Sequence, residues 1–194
     1  DMLNEYPEET IYALMNFTST HDISRLLTML GCEYFSPYKE WAWNPTITEH
    51  SFCKRFKLTK EQYEMAKKIC KAYSFVLATM PGIFSIFYGD EIGLEGLGNL
   101  ANRKPFPKEG GDLELQLFYK SLGQFRQQET QLERARVKLL YINQDYFMYE
   151  RINGDDKMLF AVSNSLEPQS IVIPSHYKTA QKVYSLNNSS HTRL

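Results

Sequence analysis

The 194-residue chain contains no run of about 18 or more apolar residues, so no transmembrane helix is expected. It also has no excess of either charge. Its 22 basic and 23 acidic residues are mixed along the chain, for a formal net charge of −1. That balance excludes the electrostatic footprint of a nucleic-acid or anionic-lipid binder, so neither nucleic acid nor membrane is an expected partner. Cysteine is scarce. Cys32, Cys53 and Cys70 are odd in number and have neither metal-ligand spacing nor a pairing pattern. Inert thiols in a reducing compartment follow, and a cytoplasmic location is the expectation. The first residues, Asp1 to Glu5, carry neither a basic n-region nor an apolar h-region. They read as the interior of a longer chain, in which a missing leader says little about location. Internal repeats and low-complexity tracts are absent too.

Present instead is the composition of an ordinary globular protein, 43% hydrophobic and 23% charged. Aromatics are abundant, with 12 Phe, 13 Tyr and 2 Trp. Such rings bury large areas, and they also stack on the apolar faces of sugars, which is only a weak hint. The length suits one compact domain or two small ones. The character of the chain changes near Glu133, where helical periodicity gives way to short strand-like runs.

Before that point, the apolar run Ile11–Phe17 breaks into Thr18-Ser19-Thr20-His21-Asp22. Asp22 is placed to cap a short helix, Ile23 to Leu30, stopped by Gly31. An aromatic-rich connector, Cys32 to Leu58, contains Trp41 and Trp43, which suit either burial or stacking on a sugar ring. Thr59 and Gln62 have the spacing of a capping box. The helix they open repeats apolar residues at Ala66, Ile69, Tyr73, Val76 and Met80, and ends at Pro81-Gly82. Ile83–Tyr88 has the length and β-branched, aromatic content of a buried parallel strand, opening into Gly89-Asp90-Glu91. Another amphipathic helix then presents Leu115, Phe118, Leu122 and Phe125. Strand, polar loop, helix, repeated twice, is the rhythm of a parallel α/β structure. Beyond Glu133, strands are expected at Val137–Ile142, Tyr146–Ile152, Met158–Val162, Ile171–Ile173 and Lys182–Tyr184, with a hairpin at Asn153-Gly154-Asp155-Asp156.

In parallel α/β folds chemistry gathers at the carboxyl ends of strands, which singles out His21-Asp22 and Asp90-Glu91. A lone His-Asp pair is weak evidence, but its surroundings add to it. Asn16-Phe17-Thr18-Ser19-Thr20-His21-Asp22, followed by Arg25, resembles the fourth short conserved region of the α-amylase family of glycoside hydrolases. Pro81 to Gly93, with Tyr88-Gly89-Asp90-Glu91 inside it, is similar to that family's eighth barrel strand. Asn102-Arg103-Lys104-Pro105-Phe106-Pro107 resembles a loop of neopullulanase- and cyclomaltodextrinase-like members. All three occur in the family's order.

The resemblance implies an α/β plus all-β protein. Residues 1–132 would form the last two βα units (strands 7 and 8) of a (β/α)8 TIM barrel, and residues 133–194 an antiparallel β-sandwich. It implies that Asp22 stabilises the transition state by accepting hydrogen bonds from two sugar hydroxyls, and that His21 donates another. Arg25 and Arg103 suit substrate binding at the rim of the site, or a loop-anchoring role. The same likeness makes Glu91 a loop anchor and not a catalytic group. A metal ligand set is not expected, nor a cofactor; calcium dependence of a complete enzyme stays open.

Retaining hydrolysis needs a nucleophilic carboxylate and a carboxylic acid roughly 5–5.5 Å apart. In the family the nucleophile follows an Arg by two residues, yet no Arg of this sequence has an acid at that distance. The nucleophile and the acid are therefore expected upstream, in a parent that cleaves α-glucosidic bonds of maltodextrins, cyclodextrins or pullulan. The chain alone is then expected to be an inactive C-terminal piece. Its expected partners are an α-glucan oligosaccharide, the upstream remainder of the barrel, and further copies of itself through exposed barrel edges. The alternative is a non-catalytic glucan-binding or interaction piece of a degenerate family member.

Overall fold

The computed structural model describes residues 5–32, 49–163, 165 and 167–177. Trp41, Trp43 and the expected strand Lys182–Tyr184 lie outside the described residues. Two compact units are present, Asp1–Lys120 and Ser121–Leu194.

In the first unit, helix α1 (Glu8–Ala13) begins after Pro7 with Glu8 and Glu9 in its first turn, where acidic side chains complement the helix dipole. The apolar run expected from Ile11 is thus split: its first residues are helical, and only Met15–Asn16 form strand β1. β1 pairs in parallel with β2 (Ile83–Phe84), Met15 opposite Ile83 and Asn16 opposite Phe84. The pairing is parallel, as the βα rhythm suggests. Ile83 is nevertheless 57% exposed, so the expectation of a buried strand over Ile83–Tyr88 is corrected. The entry to β2 depends on Gly82, which has φ +104; a Cβ there would lie 2.5 Å from the Leu14 carbonyl oxygen.

Helix α2 covers Leu26–Cys32, three residues later than expected at its start. Asp22 does not cap it; the Asp22 amide instead donates to Thr20 Oγ1 at 3.2 Å. Gly31 lies inside this helix and does not stop it; a Cβ there would lie 2.6 Å from Leu58 Cδ2, so its role is close packing. A short helix α3 spans Glu49–Arg55, and Phe52 and Cys53 pack with Leu97 and Ala101.

Helix α4 (Lys60–Thr79) opens with the expected capping box: Thr59 N donates to Gln62 Oε1 at 2.9 Å, and Gln62 N to Thr59 Oγ1 at 3.2 Å. Its buried face is rotated from the expected one. Ala66, Cys70, Ser74 and Ala78 point inward, while Tyr73 is 53% exposed. Small residues at i, i+4 spacing let neighbours approach closely. Tyr119 exploits this from α5 (Leu113–Gln128), with its hydroxyl 2.7 Å from Ser74 Oγ and 3.6 Å from Cys70 Sγ. Asp112 caps α5 by accepting from Leu115 N at 3.0 Å. Leu115, Phe118, Leu122 and Phe125 are all buried, as their spacing requires.

The second unit holds one three-stranded antiparallel sheet, order β3 (Arg136–Ile142), β4 (Tyr146–Asn153), β5 (Asp156–Ser163). The hairpin forms at Asn153-Gly154-Asp155-Asp156, with Gly154 at φ +60 and Asn153 opposite Asp156. Tyr149 and Phe160 stack at 5.2 Å, and Phe125 meets Phe160 edge-on at 6.3 Å. Arg151, 1% exposed, donates to the Ala135 and Leu132 carbonyls and so ties the preceding 3-10 turn, Thr130–Arg134, to the sheet. The expected strand Ile171–Ile173 is not formed: Val172 is 80% exposed and the segment runs into a 3-10 turn at Ser175–Tyr177. Its β-branched residues express strand propensity only where a neighbouring strand completes the ladder. A single sheet is what the described residues show where a sandwich was expected.

Candidate functional site

Two loops of the first unit, following β1 and β2, are knitted together by Arg25. This side chain is fully enclosed, at 0% exposure. Its Nε donates to the Asn102 carbonyl at 2.8 Å and its Nη1 to the Tyr88 carbonyl at 2.6 Å. The same Nη1 pairs with Asp90 Oδ1 at 3.2 Å. The guanidinium also lies 4.6 Å from the Phe87 ring centroid and 4.9 Å from that of Tyr88. An arginine so enclosed cannot face a ligand at a rim; of its two expected roles, the geometry is that of the anchor.

Asp90 is 4% exposed and receives the Ser19 hydroxyl on its second oxygen. Burial pushes its carboxyl up to about 6, against the opposing pull of Ser19 and Arg25. Glu91 folds back on its own turn, Oε2 accepting from Gly89 N at 2.6 Å. Gly89 and Gly93 flank the turn Asp90–Ile92, both at positive φ. The Asp-Glu pair therefore serves the loop, as the motif implies.

His21 and Asp22 stand apart from this interior at the surface, each with 64% of its side chain exposed. His21 Nε2 lies 3.2 Å from Asp22 Oδ2. Arg103 reaches the pair from the other loop, Nη2 to Asp22 Oδ1 at 3.3 Å and Nε to the His21 carbonyl at 2.9 Å. Three of the four expected site residues, His21, Asp22 and Arg103, are thus in mutual contact, and Arg25 supports them from below. An ionised carboxylate has about four acceptor positions. His21 and Arg103 occupy one on each oxygen, which leaves outward acceptors open to solvent.

Ser19 and Asn102 lie inside the motifs read from the sequence but were given no role there, and Asn99 was not named. Asn102 is fully buried, and its Nδ2 donates to the carbonyls of Thr20 and Ile23. Its place directly before Arg103 was a usable signal, since a buried amide beside a charged residue in a loop needs backbone partners. Among the described residues, no three His, Cys, Asp or Glu side chains are grouped as a metal site. No described helix is long and apolar enough to cross a membrane. An open concavity of about 720 Å³, lined by Ile86, Tyr88, Glu91, Leu117 and Tyr119 among others, includes none of His21, Asp22 or Arg103. The chemistry of the exposed carboxylate, not that hollow, marks the candidate site.

An amylopullulanase of Thermoanaerobacter thermohydrosulfuricus is 29% identical over 153 residues, 78% of this chain and 9% of that protein. A cyclomaltodextrinase of Geobacillus thermopakistaniensis is 25% identical over 177 residues, 89% of this chain and 24% of that protein. The chain is a relative of the α-amylase family of glycoside hydrolases. An Anoxybacillus α-amylase shares the fold at a TM-score of 0.66 and 20% identity, over 94% of this chain and 34% of that one. No protein-family model matches. The chain spans only a small part of the curated proteins it resembles, and its mixed α/β unit and small antiparallel sheet align to part of the solved structures.

Proposed function

We propose that this chain supplies the His21–Asp22 half of a sugar-binding subsite in a retaining α-glucan hydrolase. The observation that carries the reading is Asp22 itself: a carboxylate on the loop after a parallel strand, held at both oxygens yet 64% exposed. A charged acceptor bonds a hydroxyl about twice as strongly as a neutral one, which suits a group that must grip ring hydroxyls as positive charge develops on the sugar. In this reading β1 and β2 are the seventh and eighth strands of a (β/α)8 barrel, residues 1–132 belong to it, and residues 133–194 form the accompanying β domain. The nucleophile and the acid then come from other strands of that barrel. The sides of Met15 and Ile83, exposed at 59% and 57%, are where neighbouring strands or a second copy would pack.

Calorimetric titration of the chain with maltotriose tests the proposal. Saturable binding that Asp22→Asn abolishes, with an unchanged thermal midpoint, is the expected result. Equal binding by both proteins sinks it.

A further inference from the structure

Asn99, Leu100 and Ala101 form a three-residue turn in the loop that follows β2. Ala101 N donates to Asn99 O at 3.0 Å, across a single residue, and that residue, Leu100, has φ +71. A turn closed this way at positive φ is the rare, strained form of the γ-turn. Among the described residues, Leu100 alone of the non-glycines has positive φ. A bulky side chain is an outlier there, because its Cβ crowds the backbone where glycine would meet no penalty. Burial does not offset the strain. Ala101 turns inward to pack with Phe52, Cys53 and Leu97, whereas Leu100 is turned out and is 57% exposed.

The turn is tied to the candidate site at the leucine and at the residue before it. Asn99 Oδ1 accepts from Arg103 Nη2 at 2.8 Å, and the same nitrogen reaches Asp22 Oδ1 at 3.3 Å. Leu100 O accepts from Arg103 N at 3.1 Å. A strained residue persists only where its surroundings over-determine it, and such residues cluster at ligand clamps. A glucose ring carries hydroxyls round its edge and C–H groups on its faces. His21, Asp22 and Arg103 offer it polar groups alone, whereas a binding site joins a few polar groups to an apolar wall. We propose that Leu100 is a sugar-contact residue of this site, its side chain packed on the C–H face of a glucose ring whose hydroxyls donate to Asp22. This rests on the reading of His21–Asp22 as an α-glucan subsite.

The test uses the whole 194-residue chain, its leucine methyls labelled with carbon-13, as parent, Leu100→Gly, Leu100→Ala, Leu100→Met and Asp22→Asn. With maltotriose, the methyl signals that Leu100→Met deletes are expected to show Overhauser contacts to glucose ring protons in the parent. Leu100→Ala and Leu100→Gly are each expected to bind about fivefold more weakly, the order of losing a partly shielded apolar contact. Leu100→Met, which keeps the apolar volume, is expected to stay within about twofold of the parent. Stability should move the other way. Leu100→Gly is expected to melt about 2–4 °C above the parent, whereas Leu100→Ala, which keeps a Cβ at the same φ, is not. Parent-like affinity of Leu100→Ala, or missing methyl contacts, overturns the proposal. A Gly variant that melts no higher than the parent removes the strain on which it stands. If Asp22→Asn binds like the parent while Leu100→Ala does not, the reading of Asp22 falls and the leucine contact remains. A parent that binds no maltotriose refutes both.

Discussion

Arg25 and Asp90 form an ion pair at 3.2 Å with side-chain exposures of 0% and 4%, inside the loops that carry the candidate site. Breaking one partner of such a buried pair leaves an uncompensated charge, which commonly costs about 3–5 kcal/mol. Arg25→Gln is expected to lower unfolding stability by that order at neutral pH, read from urea unfolding. A loss below about 1 kcal/mol would show that the pair adds little.

The pH dependence of the same group has a definite sign. Burial raises the folded-state carboxyl of Asp90 from 3.8 to about 6, so the folded chain holds this proton more tightly than the unfolded chain does. Its contribution is fully present below 3.8 and is lost as pH rises through about 6. Unfolding free energies between pH 4 and 7 should therefore fall in the parent relative to Asp90→Asn. A constant difference across that range would contradict the raised value.

Gly82→Ala places a Cβ 2.5 Å from the Leu14 carbonyl oxygen at a backbone φ of +104. A strained residue of that kind costs about 1–3 kcal/mol. The thermal midpoint should fall, and exchange protection of the Ile83 amide, which donates to Leu14 O at 2.7 Å, should fall with it. An unchanged midpoint would mean that the turn before β2 relaxes freely.

Tyr119→Phe removes the hydroxyl that lies 2.7 Å from Ser74 Oγ on the buried side of α4. Leaving a buried polar group unsatisfied costs about 1–3 kcal/mol. Pairing it with Ser74→Ala should recover part of that loss, because both polar groups then disappear together. Additive losses would show that the two hydroxyls are independent.

Three local signals in the sequence were read correctly, whereas the Asp22 cap and the Gly31 stop of α2 were not. The capping box at Thr59 and Gln62, the apolar face of α5 and the Asn153–Asp156 hairpin each depend on residues a few positions apart. The motif around Tyr88-Gly89-Asp90-Glu91 was likewise legible, and Glu91 does bond its own turn. The rotation of α4 was not legible, because it depends on Tyr119 arriving from α5 to meet Ser74 and Cys70. Nor was the failure of Ile171–Ile173 to form a strand, since propensity becomes structure only with a partner strand.

His21 and Asp22 were singled out from a strand end and from the family resemblance, whose motifs also contain Arg25 and Arg103, because type and order are written in the chain. Which arginine goes inward was not. Arg25 lies three residues past Asp22 in sequence and ends fully enclosed, whereas Arg103, from a loop far along the chain, is the one that reaches Asp22. A charged side chain goes wherever its hydrogen bonds can be satisfied. For Arg25 the partners of Nε and Nη1 are the Tyr88 and Asn102 carbonyls and the Asp90 carboxylate, which only the folded chain brings within reach, while Nη2 is enclosed without a hydrogen bond among the described residues.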